Sequence, residues 1–332
     1  MKNKLCFIIP YFGKLPNHFP VFLKTCSTNP DYNWLIFTND TKNYNYPANV
    51  KRIEMTFEAC KELIQSKFNF PIKLTNPYKL CDLKPMYGYI FEEYLADYRF
   101  WGHCDLDTIM GNLSNWLTDD FLEQYDKIFQ LGHMTIYRNT ETNNRIFMNE
   151  FNKSYPYKLV LENSQIMWFD EEWNNPSNIN RLFIAAGKRL FKKDLSLNFS
   201  YRYNHFVKVT FVGTENTTAP FGYEIEEEKK AIYVWEENDL YRLVLKNEKI
   251  IKESYLYMHF QLRPMKYDNN ILNKKRFEII PDEFRPYNYS QLTPQNLAYF
   301  SKNCKSHLVQ KLFCKRIIKS FKKVFKLIYE TR

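Results

Sequence analysis

Glycine is scarce in this chain, with 8 in 332 residues, which leaves little room for a Gly-rich phosphate cradle of the P-loop kind. The seven cysteines (Cys6, Cys26, Cys60, Cys81, Cys104, Cys304 and Cys314) form no Cys-x-x-Cys pair and have no histidine at zinc-ligand spacing. That pattern argues against a disulfide framework or a zinc ribbon and for a reducing, cytoplasmic compartment. Nowhere do 18 apolar residues run together, so no transmembrane helix is expected. The opening run from Leu5 to Pro10 is too short for a signal peptide, lacks a small-residue cleavage site after it, and reads as a buried first strand. Internal repeats and Gly/Ser linkers are missing as well.

What is present is a folding composition: 45% apolar and 18% aromatic residues, enough buried surface to offset the entropy of ordering. The net charge is +10, yet ten basic residues and a single acid lie between Lys302 and Arg332, so the rest of the chain is nearly neutral. Within that tail Phe313, Ile317, Phe321, Val324, Phe325 and Ile328 recur at three- and four-residue steps, with Lys311, Lys315, Lys319, Lys322 and Lys326 on the opposite side. The spacing predicts a basic amphipathic helix. Such a helix suits the surface of an anionic membrane, each lysine contributing about 1 kcal/mol; a helix packed on the protein is the plainer alternative.

Short apolar runs at Leu5–Pro10, Trp34–Thr38, 50–55 and Phe100–Cys104 read as strands. Helical patterns over 19–27, 57–68 and 85–95 alternate with them, the last with Pro85 in its first turn. This alternation predicts an α/β sheet with ligand chemistry beyond the carboxyl ends of its strands. Later, 231–235, 240–245 and 254–259 are strand-like, with Glu236–Asp239 a turn between the first two. The expected organisation is one domain over residues 1–290 and a helical basic tail over 291–332.

Asp105-Leu106-Asp107 directly follows the apolar strand and precedes Gly111. Two carboxylates one residue apart at such a bend can converge on a hard divalent cation, which takes its remaining ligands from a diphosphate and neutralises a leaving nucleotide. The same pair would serve a nucleotidyl or phosphoryl transferase, and acidic pairs are also common on solvated loops. A non-catalytic peripheral membrane or nucleic-acid-binding protein is the remaining reading of the basic tail, although no nucleic-acid recognition motif accompanies it.

The segment Phe100-Trp-Gly-His-Cys-Asp-Leu-Asp107, with Pro77-Tyr-Lys-Leu-Cys-Asp-Leu-Lys-Pro85 upstream, resembles the DUF6625-type bacterial glycosyltransferases. These are similar in plan to the GT-A enzymes of capsule and O-antigen synthesis. Ile8-Ile-Pro-Tyr-Phe-Gly13 and Tyr257-Met-His-Phe-Gln-Leu-Arg263 extend the resemblance over residues 4–285. It implies a GT-A-like α/β domain, a nucleotide-sugar donor, UDP-linked, a saccharide or polyprenyl-diphosphate-linked acceptor, and Mn²⁺ or Mg²⁺ held through Asp105 and Asp107. It also implies His259 as a third metal ligand, whose imidazole suits Mn²⁺ better than Mg²⁺. Lys79, Asp82 and Lys84 would then face the donor, with Asp105 and Arg263 near its phosphates. Pro10, Tyr11 and Phe12 would edge the base, and Thr38 and Asn39 the ribose, though a plain turn also explains those two.

An inverting transfer needs a carboxylate that takes a proton from the acceptor hydroxyl. Asp170 and Glu171, following Met167-Trp-Phe, lie in the chain region where GT-A enzymes supply that base; a helix N-cap is the alternative. His133, Arg138 and Asn139, on a strand with polar ends, are candidates for donor-sugar or acceptor contact. The expected location is the inner face of the cell membrane, with no nucleic-acid partner.

Overall fold

The computed structural model describes residues 2–172, 175–200, 202–215, 219–261, 263 and 265–302. The amphipathic helix expected over 313–328, with Cys304 and Cys314, lies outside them. Strands β1 (Asn3–Pro10), β2 (Tyr32–Thr38), β3 (Val50–Glu54), β4 (Tyr98–Cys104), β5 (Thr108–Met110), β6 (Lys127–Ile128), β7 (Met134–Arg138), β8 (Leu190–Phe191) and β9 (Ser196–Asn198) come first along the chain.

Seven of them form one sheet in the order β3-β2-β1-β4-β7-β6-β8. The β3, β2, β1 and β4 neighbours are parallel, and β7 turns back antiparallel to β4. Both faces of this sheet are covered, which is why β1 is a continuous apolar run and not an alternating one. Cys6 and Ile8 enter one core with Cys60 and Ile64 of helix α2 (Phe57–Ser66) and with Trp101; Leu5, Phe7 and Ile9 enter the other with Phe19 and Phe22 of helix α1 (Phe19–Ser27). The Thr56 side chain caps α2 by accepting from the Ala59 amide at 3.1 Å.

The continuous helix expected over 85–95 is replaced by a 3₁₀ run, Pro77–Met86, followed by two single turns, Tyr87–Ile90 and Glu92–Leu95. Pro85 sits inside the 3₁₀ run, where its missing N–H costs no i→i−4 bond.

A six-stranded sheet from residues 231–286 is mostly antiparallel. Its hairpin Ala231–Glu236/Asp239–Lys246 turns through Glu237 and Asn238, both at positive φ (47° and 80°), the geometry that a two-residue hairpin loop requires. The strand expected over 254–259 splits at Leu256. Lys249–Tyr255 stays in the six-stranded sheet, and Tyr257–His259 crosses to lie between β5 and β9. The Trp235 indole N–H donates to the Met110 carbonyl at 3.0 Å, fastening the six-stranded sheet to β5. Helix Pro294–Lys302 packs Leu297 with Ile232, Val234 and Tyr241 on the same sheet. Among the described residues no helix is long and apolar enough to cross a membrane.

Candidate active site

β4 ends at Cys104, and the next three residues make a clamped bend. The Asp105 amide donates to the His133 carbonyl at 3.0 Å, and the Asp105 carbonyl accepts from the Thr108 hydroxyl at 2.7 Å. The Asp107 carbonyl accepts from the Phe260 amide at 2.9 Å, while Leu106 is buried between the two acids. Register does the rest. His259 pairs with Thr108 of β5 on one side and Asn198 of β9 on the other. One ligand atom each from Asp105, Asp107 and His259 therefore lies within 4.8 Å of the other two.

His259 Nε2 is 3.5 Å from Asp107 Oδ1, and Nδ1 is 3.1 Å from Asn198 Oδ1. The Asn198 oxygen, which also accepts from Gln261 Nε2 at 3.0 Å, takes a hydrogen bond from Nδ1, and in the neutral form of the ring Nε2 then carries the lone pair toward the carboxylates. Burial pulls the imidazole's pKa down, but the Asp107 charge, the hydrogen bond to Asp107 and the Asp105 charge together hold it above its ordinary value. Two carboxylates and a neutral imidazole are a donor set for Mn²⁺, with room in its chemistry for phosphate oxygens and water.

Lys84 bridges this cluster to a second pair of acids. Its Nζ lies 2.7 Å from Asp105 Oδ1, 2.8 Å from the Gly132 carbonyl and 3.7 Å from Asp170 Oδ2. Burial drives the Asp170 carboxyl well above the usual range, and the neighbouring Glu171 charge adds to the rise while Lys84 opposes it. Glu171 is also raised by burial. Gly132 leaves no space for a side chain: a Cβ there would collide with Asp170 Oδ2. The buried His133 ring stacks on His259 at 4.4 Å, and its Nδ1 lies 2.7 Å from the Tyr257 hydroxyl.

At the neighbouring strand ends, the Tyr11 amide donates to the Phe37 carbonyl, Gly13 N–H to Asn39 Oδ1 at 2.7 Å and Leu15 N–H to Asp40 Oδ2 at 2.8 Å. Burial raises the Tyr11 phenol, with further contributions from the charges of Asp107 and Asp40. An open cavity of about 620 Å³ lined by Lys42, Tyr46, Lys51 and Arg52 flanks β3 instead of the cluster.

A family model described as a family of unknown function (DUF6625) matches residues 7–288. The chain belongs to DUF6625. No curated protein matches it. Among solved structures it is similar to the galactosyltransferase LgtC in complex with donor and acceptor sugar analogues, at 10% identity and a TM-score of 0.33, covering 58% of this chain and 75% of that one. An active-site mutant of LgtC gives the same identity and TM-score, with 58% and 74% covered.

Several residues expected at the site of this DUF6625 chain are placed elsewhere or are engaged within the fold. Arg138 ends β7 and Asn139 follows it: Arg138 pairs with Phe100 near the start of β4, on the order of 16 Å of strand from Asp105. Arg138 is paired with Glu123, and the Asn139 amide donates to the Leu95 and Tyr98 carbonyls. Arg263, expected on donor phosphate, is 3% exposed and spends its fork on the carbonyls of Ser200 (2.6 Å), Tyr203 and His205. Lys79 and Asp82 turn inward to each other at 2.8 Å and are 1% and 0% exposed. Thr38 is fully buried, its hydroxyl accepting from the Asp40 amide, and Phe12 packs on Phe57 in the core. Asn39 is spent on the Gly13 amide, and Pro10 ends β1. Nor does a helix begin at Asp170; the next one starts at Ile179.

Gly132, Asn198 and Tyr257 are the DUF6625 residues that sequence reasoning missed. Asn198 was hidden because its short strand carries no periodic signal. Gly132 preceded His133 in a stretch read only for its polar side chains.

Proposed function

We propose that this DUF6625 chain is a metal-dependent glycosyltransferase of GT-A plan. It moves a sugar from a nucleotide-diphosphate donor, UDP-linked, to a saccharide acceptor of a surface glycan, with inversion. The observation that supports this best is the convergence of Asp105, Asp107 and His259 at the carboxyl end of β4, where an open α/β sheet binds its ligand. Asp105, Asp107 and His259 would hold Mn²⁺ or Mg²⁺, which when bound supplies charge neutralisation for the departing nucleotide diphosphate.

Across Lys84 lie the acids that suit proton transfer. A carboxylate raised by burial is a stronger base than a solvated one, and the ammonium 3.7 Å away keeps Asp170 within reach of its charged form. The acceptor oxygen attacks the anomeric carbon, the bond from that carbon to the phosphate oxygen breaks, and the hydroxyl proton passes to Asp170 or Glu171. Tyr11, on the loop after β1, would offer a ring for the nucleotide base. His133, buried against His259 and bonded to the Tyr257 hydroxyl, would support the His259 ring from behind. The basic residues of 302–332 would keep the enzyme at the inner face of the membrane, where polyprenyl-diphosphate-linked acceptors are presented.

The test is a panel of UDP-, GDP- and CMP-sugars incubated with the full chain and Mn²⁺ or Mg²⁺, following nucleotide release. Release from one donor, lost with EDTA and in Asp107→Ala, is the expected result. Neither binding nor turnover of any donor would overturn the proposal.

A further inference from the structure

Between the helices Pro156–Glu162 and Ile179–Ala185 the described residues form neither helix nor strand, and this stretch carries Asp170 and Glu171. Buried backbone N–H groups outside helices and sheets need other acceptors. Asp82 supplies them. Its Oδ2 accepts from the Met167 amide at 2.8 Å and its Oδ1 from the Phe169 amide at 3.1 Å, spanning Trp168, which is held in the left-handed region at φ 51°. Lys79 Nζ, 2.8 Å from Asp82 Oδ2, donates at 2.6 Å to the Gln165 carbonyl. Three points of one short segment are thus tied to one ion pair that has essentially no solvent exposure.

A buried ion pair is costly to desolvate and often adds no stability over apolar residues of the same size, whereas it does specify one geometry. Phe169, the last amide bound by Asp82, directly precedes Asp170. Two residues after Asp82, in the same 3₁₀ run, Lys84 reaches Asp105 and Asp170 through its side chain. One turn, Pro77–Met86, therefore references both the metal-binding bend and the acids across from it. We propose that Lys79 and Asp82 are positioning residues: they touch no substrate, and they set where the Asp170 and Glu171 carboxylates stand relative to Asp105. This deepens the glycosyltransferase reading and rests on it.

The experiment compares the full-length wild type with Asp82→Asn, which keeps the shape but puts an NH₂ where one of the two amides must be accepted. A displacement of the acids by a fraction of an ångström predicts a kcat lower by about 10- to 100-fold, with donor KM and the Mn²⁺ midpoint each within about twofold of wild type. Amide hydrogen exchange at Met167 and Phe169 accelerates in the same variant. An unchanged kcat with accelerated exchange would overturn the positioning role, as would a raised donor KM at constant kcat, which marks direct donor contact. Where Asp82→Asn folds poorly, the double variant Lys79→Met/Asp82→Leu removes both charges and restores packing; it is expected to fold with a lowered melting temperature, because two amides lose their acceptor, and to show the same kcat loss below that melt; full activity in it overturns the proposal. The glycosyltransferase reading fails separately, through a wild type that neither binds nor turns over any donor.

Discussion

The Lys84 ammonium stands 2.7 Å from Asp105 Oδ1, so one of the three groups that converge on the candidate cation position already neighbours a cation. Lys84 is thus a competitor for a divalent ion at Asp105 and, at the same time, the nearest positive charge to Asp170. Removing it acts on these two roles in opposite directions. Lys84→Met fills the same space without charge. Mn²⁺ binding in the absence of donor is expected to tighten several-fold, because Asp105 then lacks its counter-charge. Turnover is expected to fall by about 100-fold as Asp170 becomes harder to ionise. Calorimetric titration beside a nucleotide-release assay separates the two effects; weaker Mn²⁺ binding would contradict the competition.

The imidazole of His259 owes its orientation to Asn198, which takes its Nδ1–H and is itself fixed by Gln261. Groups that orient a metal-binding histidine commonly matter by about 10- to 100-fold in affinity. Asn198→Ala is expected to weaken Mn²⁺ binding by about tenfold, and Asp107→Ala to abolish it at millimolar metal. Electron paramagnetic resonance of free Mn²⁺ reads both. Equal affinities in wild type and Asn198→Ala would show that the orientation is set elsewhere.

Gly132 marks the closest approach between the loop before β7 and the acids. A methyl group there meets Asp170 Oδ2 and comes near Glu171 Oε2, while the Gly132 carbonyl must still accept from Lys84. Gly132→Ala is expected to cost about 1–3 kcal/mol of stability through overpacking. Displacing Asp170 is expected to lower kcat by at least about tenfold. A denaturant series and a kcat measurement on the same preparation check the pair of outcomes. A melt like that of wild type would mean that the loop yields at no cost.

The parallel half of the sheet was legible because β1, β2 and β4 are buried on both faces and so appear as uninterrupted apolar runs bounded by turns. Asp105, Asp107 and His259 were legible as well, two by their spacing and one by resemblance, and the register of three short strands brings them together. Arg138 and Arg263 misled because an arginine on a strand end carries no mark of which end faces the ligand or whether carbonyls will consume its donors. Lys79 and Asp82 were singled out as polar residues for a ligand, yet their partners are a backbone carbonyl and backbone amides some 85 residues away, a pairing that no local pattern encodes. The 254–259 strand hid its break at Leu256 because an unbroken apolar run, Tyr255 to Met258, continues through the change of sheet.

The six-stranded sheet that supports β5 through Trp235 has its own charged staple, and it makes stability depend on pH. Arg242, 2% exposed, donates to Glu253 Oε2 at 2.6 Å, and Lys246 donates to Oε1 at 2.8 Å. Burial alone would push the Glu253 carboxyl up, but the bonds from Lys246 and Arg242 and the Arg242 charge overcome it and bring it down to about 2. A carboxyl held lower in the folded chain than in the unfolded one stabilises the fold above its unfolded value, and that contribution is lost as the pH falls toward the folded value. Glu253→Gln is therefore expected to cost on the order of 2 kcal/mol at pH 7, and less than half of that at pH 3, where the unfolded carboxyl is already protonated. Urea midpoints of wild type and variant at the two pH values measure the difference; a gap that stays constant or widens toward pH 3 would mean that Glu253 contributes through packing and not through its charge.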